Sequence, residues 1–92
     1  MSRTVYDAGG MMRTAADIRS SMKGFSSQRK KIDDIVAEMR TYFSDPVHDE
    51  LIKKYDILQK ELKEAEDIMI EYADLLSAAA DQVARTARDI DI

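Results

Sequence analysis

The residues able to do acid–base or metal chemistry are few, and their spacing does not bring them together. His48 is the only histidine among the 92 residues, and there is no cysteine, which excludes thiol nucleophiles and metal sites built on thiolates or several imidazoles. Aspartate and glutamate total 18, but they fall on solvent-facing positions of helical patterns, away from any partner base. We therefore predict a protein that is not an enzyme, with no catalytic residues, no cofactor and no metal. We interpret His48 as a packing residue, with pH sensing as the alternative.

Charge is distributed unevenly along the chain. The net charge of −4 and the pI of about 4.9 argue against a nucleic-acid partner. Residues 1–43 carry 8 basic and 5 acidic residues, whereas residues 44–92 carry 6 basic and 13 acidic residues. We interpret the two halves as solvated surfaces. The alternative is an acidic docking surface formed by Glu64, Glu66, Asp67, Glu71 and Asp74.

No segment has the composition of a sorting or membrane signal. Residues 1–12 lack the apolar run of a signal peptide, and no stretch approaches the roughly 18 apolar residues of a membrane span. We therefore expect a protein that is made in the cytoplasm and is not inserted into a membrane. If it is secreted, the route does not cleave an N-terminal signal.

One strong interruption divides the chain into two helical halves. Asp45 suits a helix N-cap, and Pro46 suits the first position of the helix that follows. Gly9-Gly10 is a second break, before which we expect an irregular segment. The sequence predicts one domain over residues 1–92, with helix 1 at about 10–42, a turn at about 43–46 and helix 2 at about 46–89.

Apolar residues recur alternately three and four positions apart in both halves, which is typical of packed amphipathic helices and not of strands. A short turn makes two such helices antiparallel, so we predict an all-α helical hairpin. Facing residues across the turn then have numbers with a constant sum. One set of facing pairs is Met39 with Leu51, Ile32 with Leu58, Phe25 with Ala65, Ile18 with Tyr72, and Met11 with Ala79. A second set is Val36 with Tyr55, Met22 with Met69, Ala15 with Leu76, and Ala8 with Val83.

Arg29 is the one charged residue in the stripe of helix 1. One interpretation is that its stem packs while its head reaches solvent or Glu61. The alternative is a buried charge that sets the register or specifies a partner.

The apolar stripe is wider than a two-helix seam needs. Two helices bury only a narrow strip, and small scaffolds without disulfides usually need a partner. We therefore predict that two hairpins dimerise into an elongated four-helix bundle. The residues beside the stripe predicted to meet the partner are Met12, Ile35, Tyr42, Ile52, Ile68 and Leu75. Helix 1 also contains a small-residue run, which is either a weakly helical stretch or a flat patch for a partner helix. Its members are Ser20, Ser21, Gly24, Ser26 and Ser27.

The layout and the turn together resemble a known family. Tyr42-Phe43-Ser44-Asp45-Pro46-Val47, followed by Leu51, Tyr55 and Leu58, is similar to the turn of the WXG family, the early-secreted-antigen-like hairpins of type VII secretion. In this resemblance, which spans nearly the whole chain, Phe43 takes the position of the family's tryptophan and Asp45 that of its glycine.

The resemblance implies a folded dimer that is recognised by a secretion ATPase and leaves the cell as a substrate or as an export partner of a larger protein. It also implies that Phe43 of one subunit lies near residues 83–90 of its neighbour, as part of a recognition end. We expect a homodimer, and a heterodimer with a paralogue or a larger toxin remains open. The alternative functions are a cytosolic coiled-coil adaptor or a small chaperone that pairs with a larger helical protein.

Overall fold

The computed structural model describes residues 7–43 and 45–90, with side chains described as far as residue 86. It contains two helices, α1 (Ala8–Met39) and α2 (Pro46–Ile90), and the described residues form no strand. Ion pairs join Arg19 to Asp74 and Arg40 to Asp56, so the helices run antiparallel. The predicted all-α helical hairpin is confirmed.

The hairpin is a long rod of 72 × 25 × 16 Å. Its radius of gyration is 20.8 Å, whereas a compact domain of this length would have one of about 12 Å. This elongated shape leaves most residues of both helices exposed. Within the described residues, neither helix is apolar enough over a sufficient length to cross a membrane.

Helix α1 begins at Ala8, two residues before the predicted start, because Asp7 caps it. The Asp7 side chain accepts a hydrogen bond from the Gly10 backbone N–H at 2.9 Å. The predicted break at Gly9-Gly10 is therefore wrong: both glycines lie in the first helical turn. A Cβ atom at Gly10 would lie 2.7 Å from an oxygen of the Asp7 carboxylate, so a larger residue there would shift the capping side chain.

Helix α1 ends at Met39, three residues before the predicted end. The Thr41 and Tyr42 backbone N–H groups each bond a carbonyl three residues back, at 3.0 Å, which tightens the last turn out of α-helical geometry. Ser44, in the predicted turn, lies outside the described residues. Helix α2 begins at Pro46 as predicted, and the Asp45 carboxylate accepts a hydrogen bond from the His48 N–H at 2.8 Å.

The Asp45 cap allows a direct test of the turn. Replacing Asp45 with alanine removes the acceptor for the His48 N–H, and this should lower the free energy of unfolding by about 1 kcal/mol. Urea denaturation followed by circular dichroism measures the change. Asp49→Ala is the matched control, since Asp49 lies in the same first turn without serving as the cap. Equal losses in the two variants would show that charge at the helix start, and not the cap, is responsible.

The side of α1 that packs against α2 is the predicted one. Ala15 is buried, and the residues at intervals of seven before and after it are half-buried. These residues are Ala8, Met22, Arg29 and Val36. The periodicity of α1 therefore identifies its packing side correctly.

The side of α2 that packs against α1 differs from the prediction by one residue. The packed positions form the row Ile52, Gln59, Glu66, Ala73 and Ala80, which we call the seam row. The row predicted to face the first set of α1 partners is exposed at every position: Leu51, Leu58, Ala65, Tyr72 and Ala79. We call it the outer row. One residue along an α-helix is a rotation of about 100°, so the α2 residues of the first set of predicted pairs do not point into the seam, and Met39 and Leu51 instead line one open cleft. The second set involves residues at the edge of the seam.

The fully buried apolar part of the seam consists of small side chains. The buried apolar residues of the described chain are Ala15, Ala73 and Ala80. Alanines permit a close approach of the two helices, but they bury little apolar surface compared with leucine or phenylalanine. The hairpin alone therefore buries few apolar side chains completely, and the larger ones, including Phe25, Leu62 and Leu76, are only half-buried.

Candidate functional site

An exposed apolar surface covers one side of the hairpin along much of its length. We call it the apolar face, and each of its side chains is more than a third exposed. Its members are Ile32, Ile35 and Met39 of α1, Tyr42 just after α1, and Leu51, Leu58, Ile68, Met69, Tyr72 and Leu75 of α2. On each helix, the residues of the apolar face are displaced from the packed row in the same rotational sense. Those of α1 come before its packed row, and the outer row of α2 comes one residue before the seam row. In an antiparallel pair these displacements bring both sets to the same side.

The opposite side of the hairpin is polar. Arg19 bonds Asp74 at 2.9 Å, and Arg40 bonds Asp56 at 3.0 Å. Arg19 also reaches the Ala73 carbonyl at 3.5 Å. A shallow cleft of about 420 Å³ on this side is lined by cationic and hydroxyl side chains together with Glu66, Met22 and Ile70. The hairpin is therefore two-sided, with cross-helix ion pairs on one side and an apolar face on the other.

A second apolar feature lies at the turn. Met39, Phe43, Pro46, Val47 and Leu51, together with Asp45 and His48, line a cleft of about 490 Å³, which we call the turn cleft. The Phe43 and His48 rings are 5.7 Å apart and tilted, as expected for an aromatic contact. The predicted packing role of His48 fits this contact. Phe43, Asp45 and Pro46, the predicted turn motif, thus lie together around one cleft.

A buried polar cluster interrupts the seam near its middle. The Arg29 Nε lies 3.3 Å from the Glu66 Oε2, and the two side chains are only 16% and 10% exposed. The Gln59 side chain donates a hydrogen bond to the Arg29 carbonyl at 3.3 Å. We call Arg29, Gln59 and Glu66 the polar layer. Arg29 pairs with Glu66 and not with the expected Glu61, and its side chain is largely enclosed; its role in setting the register or specifying a partner stays a prediction.

Tyr55 extends this polar layer toward the turn. Its hydroxyl donates a hydrogen bond to Asp33 at 3.2 Å and accepts one from the Gln59 side chain. Burial raises the pKa of the Tyr55 phenol above 10.0, and the Asp33 carboxylate adds to the rise, while the Gln59 hydrogen bond opposes it. The Gln59 side-chain oxygen has no hydrogen-bond partner. The enclosed polar contacts between the helices thus lie in one stretch of the seam, whereas the Arg19–Asp74 and Arg40–Asp56 pairs are exposed.

The residues predicted to meet a partner divide into three groups. Ile35, Tyr42, Ile68 and Leu75 lie on the apolar face. Ile52 is half-buried in the seam row, so it contacts α1 and does not belong to an outer surface. Met12 is exposed but shares its row of α1 with Arg19 and Arg40, on the polar side.

The structure also describes the acidic docking surface and the small-residue run that the sequence suggests. The acidic docking surface is incomplete, because Glu66 is 8% exposed and turned into the seam, while Glu64, Asp67, Glu71 and Asp74 are exposed. The small-residue run is open on its outer side: nothing lies within 4 Å of the position that a Gly24 Cβ atom would take. Among the described residues, no group of three potential ligands could hold a metal ion.

Comparison with known proteins identifies no relative. The chain matches no family model, and no curated protein or solved structure is significantly similar to it. The surfaces described above are therefore the basis for any functional proposal.

The sequence pattern predicts that the outer row packs against α1, whereas the structure leaves it exposed. Leu51, Leu58 and Tyr72 were expected to pack against α1, and they are instead exposed. The signal that could have found them is the polar layer itself. Arg29 and Glu66 have opposite charge and nearly facing positions, which indicates that Glu66, and not its apolar neighbour Ala65, points toward α1.

Proposed function

We propose that this protein is a non-enzymatic substrate or export partner of type VII secretion, and that it works as a dimer of hairpins in a four-helix bundle. The observation that carries the proposal is the apolar face. Contiguous apolar surfaces of this extent on a soluble protein are typical of interaction sites. The face runs along both helices, as a second pair of helices would require.

The exposed area supports a partner of similar size. The hairpin exposes 7450 Å², whereas a compact monomer of its mass exposes about 5,400 Å². The excess of about 2,000 Å² exceeds the roughly 800 Å² that each partner buries in a standard protein interface. A second hairpin laid on the apolar face would therefore bury the large apolar side chains that one hairpin leaves exposed.

The export part of the proposal is supported by the turn. Phe43, Asp45 and Pro46 lie around the turn cleft, where the resemblance to the WXG family places its turn motif. An exposed aromatic residue at the end of a rod is well placed for contact with a secretion ATPase. In an antiparallel dimer of hairpins, the turn of one chain lies near the end of α2 of the other.

A cytosolic adaptor or small chaperone is the second candidate, and specific features of the sequence favour it. The chain has no tryptophan. The export signals of the family often have an acidic residue four positions after a tyrosine, and none of the tyrosines in this chain is followed in that way. The apolar face would serve an adaptor equally well, with a larger helical protein in place of the second hairpin.

An export assay separates the two candidates. Culture supernatant and cell pellet from the native cells are blotted for the protein, with a cytosolic enzyme as the control for lysis. Secretion predicts full-length protein in the supernatant without the cytosolic marker. Protein confined to the pellet would contradict the export proposal and favour the adaptor, whose partner would then be sought among proteins that co-purify with the chain.

A further inference from the structure

Helix α2 carries two rows, one residue apart, that could each face α1. The seam row contains Gln59 and Glu66, whereas the outer row contains Leu51, Leu58 and Tyr72. The outer row is the more apolar of the two, yet it is exposed at every position. Since burial of apolar surface drives helix packing, the hydrophobic effect alone would favour the outer row in the seam. The observed rotation half-buries Leu62, Ile70 and Leu76 beside the seam row, and the polar contacts of the seam row are the interaction that the outer row could not make.

Half-buried apolar side chains such as Leu62, Ile70 and Leu76 pack in this rotation, and polar side chains add specific contacts between the helices. The Arg29–Glu66 pair is the most enclosed of them, with the two atoms 3.3 Å apart and both side chains mostly buried. The Gln59 side chain adds a hydrogen bond to the Arg29 carbonyl. The Arg40–Asp56 pair also joins the helices, but its side chains are 48% and 58% exposed. Exposed pairs of that kind contribute little.

We infer that the Arg29–Glu66 pair, supported by Gln59, fixes the rotation of α2 and thereby keeps the apolar face available to a partner. Turning α2 by one residue, about 100°, would carry the Glu66 carboxylate away from Arg29 and bring the outer row into the seam. A buried ion pair contributes little net stability, but it strongly disfavours arrangements that leave either charge buried and unpaired. The identity of the partner rests on the proposed function, whereas the claim about rotation does not.

Cysteine cross-linking reports the rotation directly, because the chain has no cysteine of its own. Ala15 and Ala80 are both buried in the seam, while the neighbouring Ala79 is exposed. The variant A15C/A80C reports the observed rotation, and A15C/A79C reports the alternative one. The rate of intramolecular disulfide formation is measured for each on non-reducing gels, where an intermolecular product is distinguished by its doubled mass.

The test introduces R29M/E66M into both reporters. With the ion pair present, the A15C/A80C disulfide should form faster. With methionines in its place, the ratio of the two rates should reverse, and association with the second hairpin should weaken because the outer row becomes buried. R29A/E66A, which extends the alanines of the seam, serves the same purpose if the methionine variant does not fold. The charge swap R29E/E66R should restore the original ratio, and R40M/D56M is the matched control, expected to leave it unchanged.

An unchanged preference for A15C/A80C in both R29M/E66M and R29A/E66A would overturn the inference. A reversal caused by R40M/D56M as well would also overturn it, because the effect would then not belong to the buried pair. Failure of the proposed function gives a different result. In that case the unmodified chain shows no dimer or no export, while the cross-linking ratio still responds to Arg29 and Glu66.

Discussion

Leu58→Glu combined with Tyr72→Glu should convert the proposed dimer into monomers. Both side chains are about half exposed in the hairpin, at 50% and 53%, so the seam of each chain is left intact. In the proposed bundle, the new carboxylates would be buried without partners in both subunits, which is strongly unfavourable. We expect the dissociation constant to rise by at least about a hundredfold, equivalent to roughly 2.7 kcal/mol. Size-exclusion chromatography with light scattering measures the mass.

The matched control for this variant changes the charge without touching the apolar face. Lys53→Gln combined with Lys60→Gln makes the chain more negative by the same amount, and both lysines are exposed. This control should remain dimeric, with a melting temperature that still depends on protein concentration. If the glutamate variant keeps the mass and melting temperature of the unmodified chain, the apolar face is not the dimer interface.

Phe43→Ala should block export while leaving the hairpin folded. The ring is 52% exposed, so its removal should cost less than about 1.5 kcal/mol of stability. Its contribution to recognition should be larger if the turn cleft is the contact with the secretion ATPase, because aromatic residues of this kind often dominate interfaces. We expect secreted protein to fall by at least about tenfold, as a loss of roughly 1.4 kcal/mol in recognition would produce.

Ile57→Ala controls for the loss of an exposed apolar side chain. Ile57 is 61% exposed, and it lies outside the turn cleft. Its replacement should change neither export nor the melting temperature appreciably. A large fall in melting temperature for Phe43→Ala, with normal export of the protein that remains folded, would show that Phe43 is structural and not part of a recognition site.

The helical hairpin and its turn could be predicted because they depend on local signals. The heptad spacing requires helices, and the Asp45-Pro46 pair specifies where the second one begins. The error at Gly9-Gly10 came from weighting glycine as a helix breaker. The Asp7 cap outweighs the low helix propensity of these residues, because it satisfies a backbone N–H at the exposed end.

The rotation of α2 could not be predicted from hydrophobic periodicity. Periodicity finds the most apolar side of a helix, but it does not say whether that side meets the helix in the same chain or one in a partner. In this hairpin, the internal seam contains the Arg29–Glu66 pair and the small residues Ala73 and Ala80. Large apolar residues such as Leu58 and Tyr72 are exposed on the apolar face, and their periodicity is equally regular.

Sedimentation equilibrium of the unmodified protein at micromolar concentration tests the central claim most directly. If the apolar face is covered by a second hairpin, the mass should be twice the 10.5 kDa of one chain, with the melting temperature rising with concentration. A fully helical monomer of 10.5 kDa, with a melting temperature independent of concentration, would contradict the claim that the hairpin needs a second copy of itself.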